Sequence, residues 1–225
     1  MKSLNAWVCT VCLATGMGLA GAWSAAAPGP DSIAAGGAQD PSQVVQSVAQ
    51  SFLKDLDSHR STYSKDPKLL RQAIDRDVLP YFDVDYAARL VLARYWRTAT
   101  PQQRTDFVDA FENSMFSNYG NALLGFQSNR LQVLPTRGAP GAKNAIVHTV
   151  IRRDDGSTVK VDFALHETPQ GWKAWDVIVE GISYVKSFRD DFGSEIEQRG
   201  LDEVIRRLQN GAAPAAIQNA GSKPS

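Results

Sequence analysis

Cysteine is almost missing from this chain: of 225 residues only Cys9 and Cys12 are cysteines, and both fall in its first apolar stretch. Past that stretch no disulfide framework and no cysteine-based zinc or redox centre is expected. Histidine is nearly as scarce. His59, His148 and His166 are scattered, without an H-x-x-x-H spacing, so a transition-metal site is not expected either. Charge of one sign is not in excess, since 24 Lys and Arg face 24 Asp and Glu. That balance removes bulk electrostatic attraction for nucleic acid, and no basic tract is interleaved with aromatics. Arg152-Arg153 and Arg206-Arg207 are isolated pairs and read as solvated faces. No G-x-x-x-x-G-K-S/T stretch is present to cradle a nucleotide phosphate.

What is there begins with a leader. Lys2 supplies a short positive region, Leu4 to about Ala22 is apolar, and Ser24-Ala25-Ala26 provides small residues for cleavage. Cleavage after Ala26 is expected, with Ala20-Gly21-Ala22 as the alternative site and an uncleaved anchor as the competing reading. The expected product is exported to the periplasm and cysteine-free, with a sizeable core in place of disulfides. The formal dinucleotide match Gly16-Met17-Gly18-Leu19-Ala20-Gly21 lies in the leader, follows no strand, and is discounted. Composition divides the chain into a signal peptide (1–26), a disordered lead-in (27–39), a folded unit (40–210) and a disordered tail (211–225).

Within the folded unit, three helix starts share a capping residue followed by proline: Asp40-Pro41, Asp66-Pro67 and Thr100-Pro101. The first opens a stripe of Val45, Val48, Phe52 and Leu56, the second one of Leu70, Ile74 and Val78. The third adds Gln103 as a capping-box partner and is expected to be the longest, to about Leu124, with Phe107, Phe111, Met115 and Tyr119 on one face. Pro80 ends the second helix, and Asp83 caps a short one over Val84–Ala93. Near Leu131 the period changes to two, and Leu131–Leu134, Ala145–Arg153, Thr158–His166 and Trp172–Glu180 read as strands. Asp154-Asp155-Gly156-Ser157 and Thr168-Pro169-Gln170-Gly171 supply the turns. Phe188, Phe192 and Ile196 then open a helix that Gly200 closes, and Leu201, Val204, Ile205 and Leu208 form the last. The expected class is α+β, a four-stranded antiparallel meander packed with helices. Two of its strands are apolar on both sides, and such strands are covered twice, by helices or by a ligand.

Candidates for chemistry are few. Asp176 and Glu180 lie four residues apart on one strand, which separates their backbones by roughly 13 Å. Paired carboxylates of glycoside hydrolysis sit about 5–10 Å apart. Both acids are therefore assigned as structural braces. Gly181-Ile182-Ser183-Tyr184-Val185 is half of a G-x-S-x-G elbow, but Val185 replaces the second glycine and the strand before it is antiparallel. Ser183 reads as a turn or helix-entry residue.

Several segments in order carry a family resemblance: Leu79-Pro80-Tyr81-Phe82-Asp83, the run from Tyr95-Trp96 to Gln102-Gln103, and Tyr119-Gly120-Asn121-Ala122-Leu123. Trp172–Asp176, Glu180-Gly181-Ile182-Ser183 and Gly200-Leu201-Asp202 complete the set. Over about Pro41 to Gln209 the chain resembles the MlaC/toluene-tolerance family, with Ala93-Arg94 where many relatives have a glycine. The resemblance implies a partly NTF2-like fold with a curved four-stranded sheet and an apolar cavity between sheet and helices. It implies a monomeric, non-enzymatic periplasmic phospholipid carrier without a cofactor or metal. Lipid would pass between an outer-membrane lipoprotein–porin complex and an inner-membrane ABC transporter with an MCE-domain ring. Leu90, Val91, Phe107, Phe111, Met115, Val150, Val161, Phe163, Val177, Val179, Ile182 and Phe188 are the candidate cavity wall. A hydrolase using Ser183 or the two acids, and an adaptor with a solid core, are the competing readings.

Overall fold

Capping side chains account for where the helices begin. In the computed structural model, which describes residues 40–135, 142–153 and 155–213, Asp40 accepts a hydrogen bond from the Ser42 amide at 2.9 Å and opens α1 (Pro41–Lys65). Asp66 does the same for Lys68 at 3.0 Å and opens α2 (Pro67–Asp77). A one-turn 3₁₀ segment, Leu79–Tyr81, leads to Asp83, whose carboxylate caps α3 (Val84–Leu92) through the Tyr86 amide. After α4 (Arg94–Thr98), Thr100 and Gln103 close a reciprocal capping box at 3.1 and 2.9 Å and open α5 (Pro101–Tyr119). Each cap is worth about 1 kcal/mol.

The helices depart from expectation in two places. α1, at 25 residues, is longer than α5, because the polar second half of α1 still buries Leu56 and Tyr63 beside Leu70 and Ala73 of α2. α5 stops at Tyr119 and continues as a 3₁₀ segment, Gly120–Gly125, rather than as α-helix to Leu124. Gly120 sits against its own preceding turn: a Cβ there would stand 2.9 Å from the Phe116 ring. Between α3 and α4 the chain bends at Ala93, which holds φ at 49°, a region disfavoured for any residue with a Cβ.

The sheet has five strands, not four: β1 (Leu131–Val133), β2 (Asn144–Arg152), β3 (Thr158–Thr168), β4 (Gly171–Val179) and β5 (Ile182–Ser183). They pair antiparallel in sequence order. The fifth arises because Glu180 and Gly181 both take positive φ, 50° and 81°, and fold Ile182 back onto Val179. Positive φ at both central residues is what a tight hairpin turn of the primed type requires. Trp175 is an extra residue in β4, since Ala164 pairs with Asp176 while Leu165 pairs with Ala174. Asp154 of the expected β2–β3 turn lies outside the described residues, as do the leader, the lead-in and most of the tail. α6 (Tyr184–Arg199) follows β5 directly, and Gly200, at φ 84°, separates it from α7 (Leu201–Gln209).

Buried side chains form three clusters. One lies among α3, α5, α6 and α7, where Phe107, Phe111, Phe188 and Phe192 stack or meet edge to face at 5.4–6.2 Å. A second joins Val44 and Val45 of α1 to Val147, Leu165, Trp172 and Ala174 of the sheet. The third holds α1 against α2. No helix among the described residues is long and apolar enough to cross a membrane.

Candidate functional site

Strand register sorts the sheet into two unlike faces. Leu131 and Val133, Ala145 to Ile151 in steps of two, Val159 to Leu165 in steps of two, then Trp172, Ala174, Val177, Val179 and Ile182 share one face. Its only hydroxyl, that of Thr149, is buried and donates to the Val161 carbonyl. The opposite face carries His148, Lys160, Asp162, His166 and Lys173. We call the apolar face the inner face.

Burial along the inner face is uneven. At one end α1 covers it: Val147 is 0% and Leu165 1% exposed, with Trp172 and Ala174 also buried. The Trp172 indole N–H in this packed end has no hydrogen-bond partner among the described residues. Toward the other end Ile151, Val159, Val161, Val177 and Val179 are only half-buried, and Ile182 is 55% exposed. Half-buried apolar side chains also border the clusters, Met115 and Tyr184 beside the helical one and Leu123, Leu124 and Leu131 beside the α1/α2 one. Burial pushes the phenols of Tyr119 and Tyr184 above their ordinary value, with Tyr184 and Asp191 adding to the effect on Tyr119. Both stay protonated and neutral near pH 7.

Of the candidate wall residues, Val161, Phe163, Val177, Val179 and Ile182 stand together on the inner face. Met115 and Leu90 border the helical cluster, while Val91, Phe107, Phe111 and Phe188 are buried inside it against other protein side chains. Val150 is on the opposite face, paired with Gln132 and Lys160. Sequence reasoning left out Val133, Ile151 and Val159. Val159 carries the same alternation as Val161, but Val133 and Ile151 join the face only through the pairing of β1 with β2.

The acid and serine candidates are committed to structure. Asp176, 3% exposed, accepts from the Ser183 hydroxyl at 2.5 Å and the Val185 amide at 2.9 Å. The Ser183 oxygen also accepts from the Lys186 amide and so caps α6. Glu180 accepts from the Lys160 amide at 2.6 Å, in the β4–β5 turn. His166 pairs with Asp83, His148 with Asp162 and His59 with Asp55, each at 2.9–3.1 Å and none with Ser183. A group of three or more His, Cys, Asp or Glu placed to hold a metal does not occur among the described residues. A cleft of about 640 Å³ lies between Phe82–Asp85, Glu112 and the β3–β4 turn, lined by charges of both signs rather than by the inner face. A second, of about 350 Å³, lies where β2 leads into β3, between Phe126, Ile151 and three arginines.

A model of the MlaC protein family matches residues 46–210. The toluene tolerance protein ttg2D of Pseudomonas putida is 33% identical over 171 residues, covering 75% of this chain and 79% of that protein. The intermembrane phospholipid transport system binding protein MlaC of Haemophilus influenzae is 24% identical over 183 residues, covering 80% and 85%. In fold, the chain is similar to a phospholipid-binding protein of Ralstonia solanacearum solved in complex with a phospholipid. The TM-score is 0.71 at 21% identity, covering 80% of this chain and 99% of that one.

Proposed function

Because the chain belongs to the MlaC protein family, we propose that it binds phospholipid on the inner face of its sheet and carries it through the periplasm between two membranes. The observation that carries this reading is the open end of that face, where large apolar side chains are only half-buried and the Thr149 hydroxyl on the same face is already bonded. Two acyl chains of about fifteen methylenes each, at about 0.8 kcal/mol per methylene, cost roughly 24 kcal/mol to leave in water. A carrier must cover them with hydrocarbon and offer no polar group that lacks a partner. Val161, Phe163, Val177, Val179 and Ile182 supply such a surface, and the adaptable side chain of Met115 can adjust to chains of different shape. The similarity to a phospholipid transport system binding protein and to a phospholipid-binding protein supports the same assignment.

No reaction is assigned. Asp176 takes the Ser183 hydroxyl and the Val185 amide and so holds the start of α6 together, while the three histidines pair with Asp55, Asp162 and Asp83 and none with Ser183, so the histidine-activated serine of a triad is not assembled. The working unit is residues 40–210 after removal of the leader, acting as a monomer and exchanging lipid with an outer-membrane lipoprotein–porin complex and an inner-membrane ABC transporter bearing an MCE-domain ring. Native mass spectrometry of the purified protein tests the reading: added mass of a phospholipid is expected. Protein that is lipid-free and takes up none from phosphatidylglycerol vesicles overturns it, and leaves an adaptor with a solid core.

A further inference from the structure

Resting on the phospholipid reading, we infer that the first half of α1, residues 41–51, is a movable cover hinged on the second half, and that acyl chains load beneath it. The open end alone is too small for them. Its half-buried residues are Val159 and Val161 on β3 and Val177 and Val179 on β4, a step of two residues or about 7 Å along each strand. Phe163, the next residue on β3, already packs against the cluster that α1 closes. The acyl layer of one leaflet is about 15 Å deep, half of a bilayer's hydrocarbon core. The open strip is also one-sided, so hydrocarbon laid on it keeps its other side in water. Neither cleft described above is lined by Val161, Phe163, Val177 or Val179. The element that already stands over this face is α1. Lifting its first half opens a slot between Val44, Val45 and Val48 on one wall and Val147 and Leu165 on the other, continuous with Val161.

The two halves of α1 are held differently. In the second half, Asp57 accepts from the Ser128 amide at 3.1 Å and hydroxyl at 2.5 Å, and Asp55 faces Arg76 of α2 at 3.6 Å. Arg60 donates to the Leu124 carbonyl and, at 2.7 Å, to that of Phe126. Phe52, Leu53, Leu56 and Tyr63 pack with Leu70 and Ala73 of α2. The first half has only Val44, Val45 and Val48 against the sheet. Among the described residues its polar bonds stay within the helix and its cap, as Asp40 accepts from the Ser42 amide and Ser47 donates to the Val44 carbonyl. A serine bonded back onto its own helix loosens and bends it locally. The junction with the sheet also carries two buried polar atoms without a partner among the described residues, the Ser42 hydroxyl in the first turn of α1 and the Trp172 indole N–H. Trp172 is 8% exposed and lies in the cluster that Val44 and Val45 close. Buried groups left unsatisfied disfavour the shut arrangement, which is therefore held less firmly than its apolar contacts alone provide.

The test measures nitroxide–nitroxide distances by pulsed electron paramagnetic resonance in full-length protein whose only cysteines, Cys9 and Cys12, are changed to serine. Gln43→Cys/Arg199→Cys reports the first half of α1 and Ser58→Cys/Arg199→Cys the second, all at exposed positions. Each protein is delipidated and then reloaded from phosphatidylglycerol vesicles, with native mass spectrometry reading occupancy. On loading, the Gln43 pair is expected to shift by about 4 Å or more, the contact spacing of one inserted hydrocarbon layer. The Ser58 pair is expected to keep its distance. Loaded protein with both pairs unchanged overturns the cover while the carrier reading stands. Equal shifts in both pairs mean that α1 moves as one body, and they overturn the hinge and the proposal with it. Protein that takes up no lipid overturns the carrier reading itself, and the cover falls with it.

Discussion

The two ends of the inner face are built from the same residue types and differ in what stands opposite them. At the Leu165–Trp172 end, Val44 and Val45 of α1 close over the sheet and exposure falls to a few per cent. At the Val161–Ile182 end the same alternation of valine and isoleucine is left half-exposed. The difference separates two uses of apolar surface. Covered by protein, it holds the fold together; left open, it contributes little to stability and is free to hold hydrocarbon.

That contrast can be broken or sharpened by substitution. The largest effect is expected for Leu165→Ala at the closed end, a loss of about 2–5 kcal/mol in urea unfolding, since truncation leaves a cavity there. A loss below 1 kcal/mol would show that end to be loosely packed and the contrast unfounded. Next comes Asp176→Ala, which strands the Ser183 hydroxyl and the Val185 amide where β5 enters α6. Unsatisfied buried groups of this kind cost about 1–3 kcal/mol, read by the same unfolding experiment. Ala93→Gly is expected to stabilise by about 1 kcal/mol, because glycine takes φ 49° without the Cβ penalty. An unchanged midpoint would mean the bend carries no strain.

At the open end, Val179→Ala is expected to change stability by less than about 1 kcal/mol, since its side chain is only half-buried. Val179→Asp should leave far-UV circular dichroism unchanged and abolish copurified lipid; full lipid occupancy in that variant would remove the inner face from the proposed site. The smallest effect concerns Asp57, whose carboxyl is held below its ordinary value of 3.8 by the Ser128 hydroxyl and amide and by Arg60. A depressed carboxylate contributes stability above its unfolded value and loses it as pH falls through its folded one. The gap between wild type and Asp57→Asn, under about 1 kcal/mol for so exposed a group, should be present at pH 7 and close as pH falls below the ordinary carboxylate value of 3.8. A gap independent of pH would assign the Asp57 effect to packing alone.

Much of the fold was legible along the chain because its signals are local. Asp40, Asp66, Asp83 and Thr100 each cap the helix they were assigned, and a cap involves residues two or three positions away. The alternation in β3 placed Val159, Val161, Phe163 and Leu165 on one face, since the strand period needs no partner to be read. The fifth strand was hidden because two residues carry too little alternation, and its turn uses Glu180 where glycine or asparagine is the usual sign. The candidate wall was only partly legible. Phe107 and Val161 look equally apolar in sequence, yet one is sealed by Phe111 and Phe192 while the other faces the open end.

The sequence by itself determined most of the elements, their order, the α+β class and the family, because capping, period and motif order are properties of neighbours along the chain. Tertiary structure alone decided which end of the sheet α1 covers, that Val150 faces away from Val161, and that Arg130 stands beside the Arg152-Arg153 pair that reads in isolation as a solvated face. Exposure and charge clustering depend on what lies opposite, and strand pairing brings Arg130 and Arg152 together across more than twenty residues.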